Sequence, residues 1–196
     1  NTAQLSSLTT TQIPVLDRAK IEALATEDVA AFKTSQLAAL TSAQIGWLQS
    51  EDIKALSSTQ VTGFTSSQIA ALRSDQILSL ETEDLAGFTT TQIGAFTTGQ
   101  IVALNTQQVA ALKSAQVAAL STLQLSALGT EDIVAFKTAQ IAALTTAQVR
   151  SLANDRLRAL ETEDLAAMGT VQLAALSTSQ IVALESIDVA AIKSAN

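Results

Sequence analysis

The residues with the most chemistry to offer come as adjacent acid pairs: Glu27-Asp28, Glu51-Asp52, Glu83-Asp84, Glu131-Asp132 and Glu163-Asp164. Two carboxylates can share acid/base work or help to hold a divalent cation. Neighbours on a helix diverge by about 100°, which is poor geometry for a shared acid/base site. Each pair follows a Thr or Ser, as in Thr82-Glu83-Asp84. The expected role is therefore to complement the positive end of a helix dipole in its first turn. The alternative is that these ten residues stack into a row that takes a divalent cation. Calcium-loop patterns and phosphate-cradling Gly-rich loops are absent.

Other chemistry is excluded by what the chain lacks. It has no His, no Cys and no Tyr. That removes the commonest general base and metal ligand, the disulfide, the thiolate site and the phenol donor. A Ser or Cys triad of the usual kind is excluded with them. No enzyme activity, cofactor or resident metal is expected. The net charge of −7 argues against nucleic acid and anionic membranes as partners. There is no apolar run of 18 residues, so no membrane insertion is expected.

The elements that must position these groups follow from an octad. Counted from Asn1, the chain divides into 24 octads without insertion or deletion (24 × 8 = 192), and Lys193 to Asn196 begins another. The consensus is x-[Thr/Ser]-x-[Gln/Asp]-[Ile/Val/Leu]-x-[Ala/Gly/Ser]-[Leu/Phe]. A fixed short period is the signature of a solenoid or array. Thr or Ser at position 2 reads as a helix N-cap. Positions 5 and 8 are i and i+3, on one face, and Ala at position 7 favours helix. Each octad thus predicts a helix of about one and a half turns, a two-residue break and a new cap.

One continuous helix fails, because eight residues overshoot two turns by roughly 80° and wind the apolar stripe around the rod. A β-solenoid is the alternative fold, but positions 5, 7 and 8 break the period-2 alternation and Ala is poor in strands. The expectation is an all-α solenoid of very short helices. Such helices are unstable alone, so each must bury positions 5 and 8 against neighbouring octads. Residues 1–196 read as a single continuous array and as a fragment of a longer protein.

A second rhythm overlies the first. The acid-rich octads are 4, 7, 11, 17, 21 and, weakly, 24; steps of 10/3 octads from octad 4 reproduce these and add octad 14, which reads Thr106-Gln107-Gln108. An 80-residue superperiod relates Lys33, Lys113 and Lys193. An old ten-octad duplication explains this, and so does a superhelix of about 3.3 octads per turn that stacks the acidic octads.

Four local expectations follow. Pro14 should distort the second octad, and Arg18 and Lys20 mark an irregular third. Phe32, Phe64, Phe88, Phe96 and Phe136, all at position 8, should fill wider places in the core. Trp47 is a tolerated surface variant or opens the packing locally. Gln at position 4 should bond backbone in the break before or after its own helix. Ice binding is not expected, because the Thr hydroxyls are engaged as caps.

The repeats Thr89 to Phe96, Lys137 to Leu144 and Thr145 to Leu152 follow Thr-Thr-x-Gln-Ile-x-Ala-Leu. This resembles tandem octapeptide regions of very large, adhesin-like bacterial secreted or surface proteins, along essentially the whole chain. The resemblance implies a bacterial, extracellular or cell-surface location and a structural role as a rod-like spacer or stalk. A binding module using the solenoid surface or the acidic row for a protein, glycan or cation is the alternative. The implied partners are other regions of the same large protein and, end to end, further copies of the array. A weaker likeness is to DNA-binding effector repeats of the Leu-Thr-x-x-Gln-Val type, but their second helix and base-reading loop are missing and the charge is wrong.

Overall fold

Octad 6, Thr41 to Leu48, shows how the unit is built. Its helix runs from Ser42 to Trp47. The Ile45 N–H donates to the Thr41 carbonyl at 3.0 Å, and the Leu48 N–H closes the end on Ile45 at 3.3 Å. Leu48 (φ −61, ψ 146) and Leu40 before Thr41 are extended, as is Thr41 itself (φ −73, ψ 159). Positions 8 and 1 therefore form the two-residue break that the octad predicts. No described residue has a positive φ, so these helices do not end on a left-handed glycine. They end because position 8 turns extended, which leaves their last carbonyls to find partners elsewhere.

The computed structural model describes residues 2–195, and among them it contains 23 short α-helices, one 3-10 turn and no strand. The β-solenoid alternative is thereby set aside. The cap lies one residue earlier than the sequence suggested. Position 1 is the N-cap and position 2 opens the helix, as with Thr65 before Ser66. From octad 3 onward, where position 1 is Thr, Ser or Asn, its side chain accepts the N–H of position 4, as at Thr89, Thr97 and Asn105.

Two compact units divide the chain, Asn1–Leu104 and Asn105–Asn196. In the first, octad 3 packs on octad 6, 4 on 7, 5 on 8, and so on to 10 on 13. In the second, octad 14 packs on 17, 15 on 18, and onward to 21 on 24. Within each unit a helix thus meets the third helix on, which agrees with the expected superhelix of about 3.3 octads per turn. This stacking supplies the core. Position 5 is at most 2% exposed from Ile13 to Leu165, and position 8 at most 6% from Phe32 to Met168. Burying each such side chain contributes roughly 1.5–3 kcal/mol, repeated along the array.

The exceptions fall where the sequence departs from consensus. Pro14 turns the second octad into a 3-10 helix, Ile13–Val15, since proline has no N–H for a longer helix. Octad 3 is capped by Asp17, whose side chain accepts the Lys20 N–H. All five Phe side chains are buried, and Phe88 and Phe96 meet edge to face at 5.7 Å. Trp47 is half-buried.

Candidate functional site

Gln44 shows what position 4 does. Its Oε1 accepts the Thr41 N–H at 2.8 Å, and its own N–H donates to Thr41 Oγ1 at 3.2 Å. This is a reciprocal capping box, Thr-x-x-Gln. Its Nε2 donates to two carbonyls of octad 2, Ile13 at 2.9 Å and Leu16 at 2.8 Å. One amide therefore satisfies the start of its own helix and the end of a helix one turn earlier. Gln68, Gln76, Gln92 and Gln100 make the same pair of bonds in the first unit. Gln140, Gln148, Gln172 and Gln180 do so in the second. The acceptors of these glutamines lie 31 and 28 residues earlier, and those of Gln60, Ala30 and Phe32, lie 30 and 28 earlier. Half of this was legible, because a bond to the break before the helix was expected. The reach of Nε2 to the previous turn was not.

These amides are buried; Gln44 and Gln148 are 1% exposed. Among the described residues no buried side-chain nitrogen or oxygen lacks a partner. Two-directional pairing explains how a polar side chain can stand beside the core residue at position 5 without a desolvation penalty.

Position 2 hydroxyls, freed from the capping role, bond across turns instead. Ser42 Oγ donates to the Ser67 carbonyl at 3.2 Å and Ser114 Oγ to the Ala139 carbonyl at 3.0 Å. Position 7 is small because turns approach closely there. A Cβ on Gly87 would lie 2.9 Å from the Ser58 carbonyl oxygen, and one on Gly63 2.5 Å from Thr34 Cγ2.

The acid pairs split as helix geometry requires. Glu27, Glu51, Glu83, Glu131 and Glu163 are exposed, Asp28 and Asp132 half-buried, and Asp52, Asp84 and Asp164 buried. Each Asp stands where Gln usually clamps. Asp52 Oδ2 accepts the Gln49 N–H at 2.9 Å and its Oδ1 accepts from Thr26 Oγ1 at 3.0 Å. Asp132 and Asp188 likewise accept the N–H of position 1 at 2.9 Å. Asp thus keeps the accepting half of the clamp and, while ionised, has no donor for the preceding turn. Arg156 in octad 20 is the converse, a donor only, with Nη1 on the Ser126 carbonyl at 2.9 Å. Octads 4 and 7 pack together, as do 14 and 17, and 21 and 24. No group of three or more Asp or Glu able to hold a metal ion forms among the described residues.

Two carboxyls are shifted. Burial, with the negative charges of Glu81 and Glu83, pushes Asp84 up to about 6 against a hydrogen bond from the Glu81 backbone. Asp75 falls to about 2, first because Arg73 hydrogen-bonds it. Arg73 bridges turns as well, donating from Nη1 to the carbonyls of Gly46 and Leu48.

The ALTTAQ repeat family model matches residues 21–51, 45–82, 77–114, 102–130, 109–137, 125–160 and 157–194. The chain belongs to the ALTTAQ repeat family. The six residues of that name occur here as Ala143 to Gln148, and they straddle two octads. Leu144 ends one octad, Thr145 caps the next helix, and Gln148 ties the start of that helix to the turn before. The ALTTAQ hexapeptide therefore spells the joint between helices rather than a helix. No curated protein matches the chain. No helix among the described residues is long and apolar enough to cross a membrane.

Proposed function

We propose that this ALTTAQ array is a non-enzymatic spacer or stalk within a large bacterial surface or secreted protein. The supporting observation is the clamp. Position 4 is where the repeat carries its most capable polar groups, and octad after octad they are engaged in joining one turn to the previous one. An array whose polar chemistry is spent on its own continuity serves to set distance. The resemblance to octapeptide regions of large secreted proteins supports the location.

The test is to duplicate residues 81–160, a ten-octad block in phase with the superperiod, and measure the span by small-angle X-ray scattering. A spacer lengthens in proportion to the added octads and keeps its helical circular dichroism. A span that fails to grow, or loss of the helical spectrum, refutes the reading. One observation favours the binding alternative: a surface groove of about 470 Å³ in the second unit, lined by Thr122, Thr146, Ala147, Arg150, Ser151 and Ala175. A glycan or acidic peptide that binds saturably there, and is lost in Arg150→Ala, would make the array a binding module.

A further inference from the structure

In a clamped turn the position 8 carbonyl takes a Gln Nε2 from 28 residues on, as Leu40 takes Gln68. Where Asp52, Asp84, Asp164 or Asp188 stands at that distance instead, the carbonyl (Leu24, Leu56, Phe136 or Leu160) accepts no hydrogen bond among the described residues. A buried carbonyl without a donor is costly. The acidic octads are therefore the places where one turn is not tied to the turn before.

The deficit is most pronounced at Asp84 in octad 11. Asp84 is 5% exposed, and its helix, Thr82–Gly87, packs on the Ser58–Val61 helix of octad 8 with Gly87 against Ser58. Asp52 has the Thr26 hydroxyl on its Oδ1. Ser58, the equivalent hydroxyl for Asp84, makes no such bond among the described residues. The Asp84 carboxyl accepts from the Glu81 backbone. Opposite it, in the clamp register, are the carbonyls of Ile53 and Leu56 in octad 7. The Ile53 carbonyl keeps the Leu56 N–H at 3.3 Å, and the Leu56 carbonyl has nothing.

The charges around Asp84 are of its own sign. Glu81 and Glu83 act on it from its own octad, and the Ser58–Val61 helix carries no charged residue. Octad 7 carries Glu51 and Lys54, both exposed, and Asp52, which is engaged with Gln49 and Thr26. Arg73, in octad 10, is paired with Asp75. No Lys or Arg pairs with Asp84 among the described residues. Burial and the two glutamates favour the neutral carboxyl, which persists up to about 6. A neutral carboxyl has an O–H to give, and a carboxylate has none.

We propose that Asp84 is a proton-operated latch between octads 11 and 7: neutral, it donates to the Leu56 carbonyl and completes the clamp; ionised, it leaves that joint free to open. The proton is held more tightly in the closed joint than in the open one. The latch is therefore fully closed in acid and is released as the pH rises through about 6. The array is then not uniform along its length, because this one joint loosens at neutral pH while the Gln clamps stay shut.

Nuclear magnetic resonance on the 196-residue chain tests this. The Leu56 carbonyl carbon should shift on acidification with the same midpoint as the Asp84 carboxyl carbon, near 6. Hydrogen exchange at Leu85 and Phe88, corrected for the intrinsic effect of pH, should report opening about tenfold more frequent at pH 7.5 than at pH 5. That factor follows from a carboxyl at about 6 when closed and near 3.8 when open. Ile93 and Phe96, in octad 12 with its Gln92 clamp, should show no such change. Asp84→Asn, an amide donor at every pH, should abolish both responses and keep Leu85 and Phe88 protected at pH 7.5. A Leu56 carbonyl indifferent to pH overturns the latch, even if exchange changes, because burial alone would then act. Responses that survive in Asp84→Asn overturn it in favour of another group.

Discussion

Replacing Gln148 by alanine removes one side chain and three hydrogen bonds. The Thr145 N–H loses its acceptor at 2.8 Å, and the carbonyls of Val117 and Leu120 lose a donor at 2.9 and 2.7 Å. Val117 keeps the Leu120 N–H at 3.2 Å, so two backbone groups are left without a protein partner. Each stranded buried group costs about 1–3 kcal/mol. Freeing the Gln side chain returns up to about 2 kcal/mol of rotamer entropy. Two such groups cost about 2–6 kcal/mol, so the net expectation lies between about 0 and 6 kcal/mol and centres near 3. Gln148→Glu should be worse at neutral pH, because it sets a carboxylate against two carbonyls where a donor belongs. It should recover on acidification, once the protonated acid can donate again. Gln107→Ala, at an exposed position 3, is the control and should change stability by less than about 0.5 kcal/mol. The assay is urea unfolding followed by circular dichroism, with hydrogen exchange at Thr145 and its neighbours to detect opening of a single turn. If Gln148→Ala and Gln107→Ala are equally mild, or Glu is better tolerated than Ala at pH 7, the clamp does not hold the turns together.

The remaining predictions concern glycines at positions 7 and 6, the caps and a carboxyl. Gly87→Ala should lower stability by about 1–3 kcal/mol through its clash with Ser58, whereas Gly46→Ala, whose nearest neighbour would be the Ala71 carbonyl at 3.8 Å, should gain up to about 1 kcal/mol from helix propensity; thermal melts of the two variants decide. Thr89→Ala should cost about 0.5–2 kcal/mol by losing the cap on Gln92, while Thr90→Ala, at position 2, should be close to neutral; equal losses in chemical denaturation would return the cap to position 2. Asp84, raised to about 6, holds its proton more tightly folded than unfolded. Its contribution is full below the unfolded value near 3.8 and is lost as pH rises through about 6. The wild type should therefore lose thermal stability relative to Asp84→Asn between pH 4 and pH 7.5, and parallel melting curves against pH would refute the assignment.

Much of the fold was legible in single octads. Ile or Val at position 5 and Leu or Phe at position 8 define one helical face, and both are buried. A recurrent cap signal means recurrent helix starts, and the helices restart in every octad. Pro14 announced its own 3-10 turn. The choice of capping residue was less legible, because Thr and Ser occupy both positions 1 and 2 and suit either role. The Thr-x-x-Gln spacing of Thr41 and Gln44 was the available signal for position 1, since a Gln three residues after a cap returns to the cap's own N–H. The local half of the candidate site was therefore written in the octad, and only its meaning was misplaced by one residue.

The sequence by itself determined the repeat unit, its helical state, its apolar face and the absence of His and Cys chemistry, because these depend on residue type and on spacings within eight residues. The tertiary structure decided which carbonyls each Gln Nε2 reaches, why Gly63 and Gly87 must be small, and which acids are buried. Those facts depend on residues 28 to 31 positions apart meeting face to face. No local pattern encodes that meeting. It exists only once the helices stack with a turn of between three and four octads, since the stacking alone brings the end of one helix under the start of another.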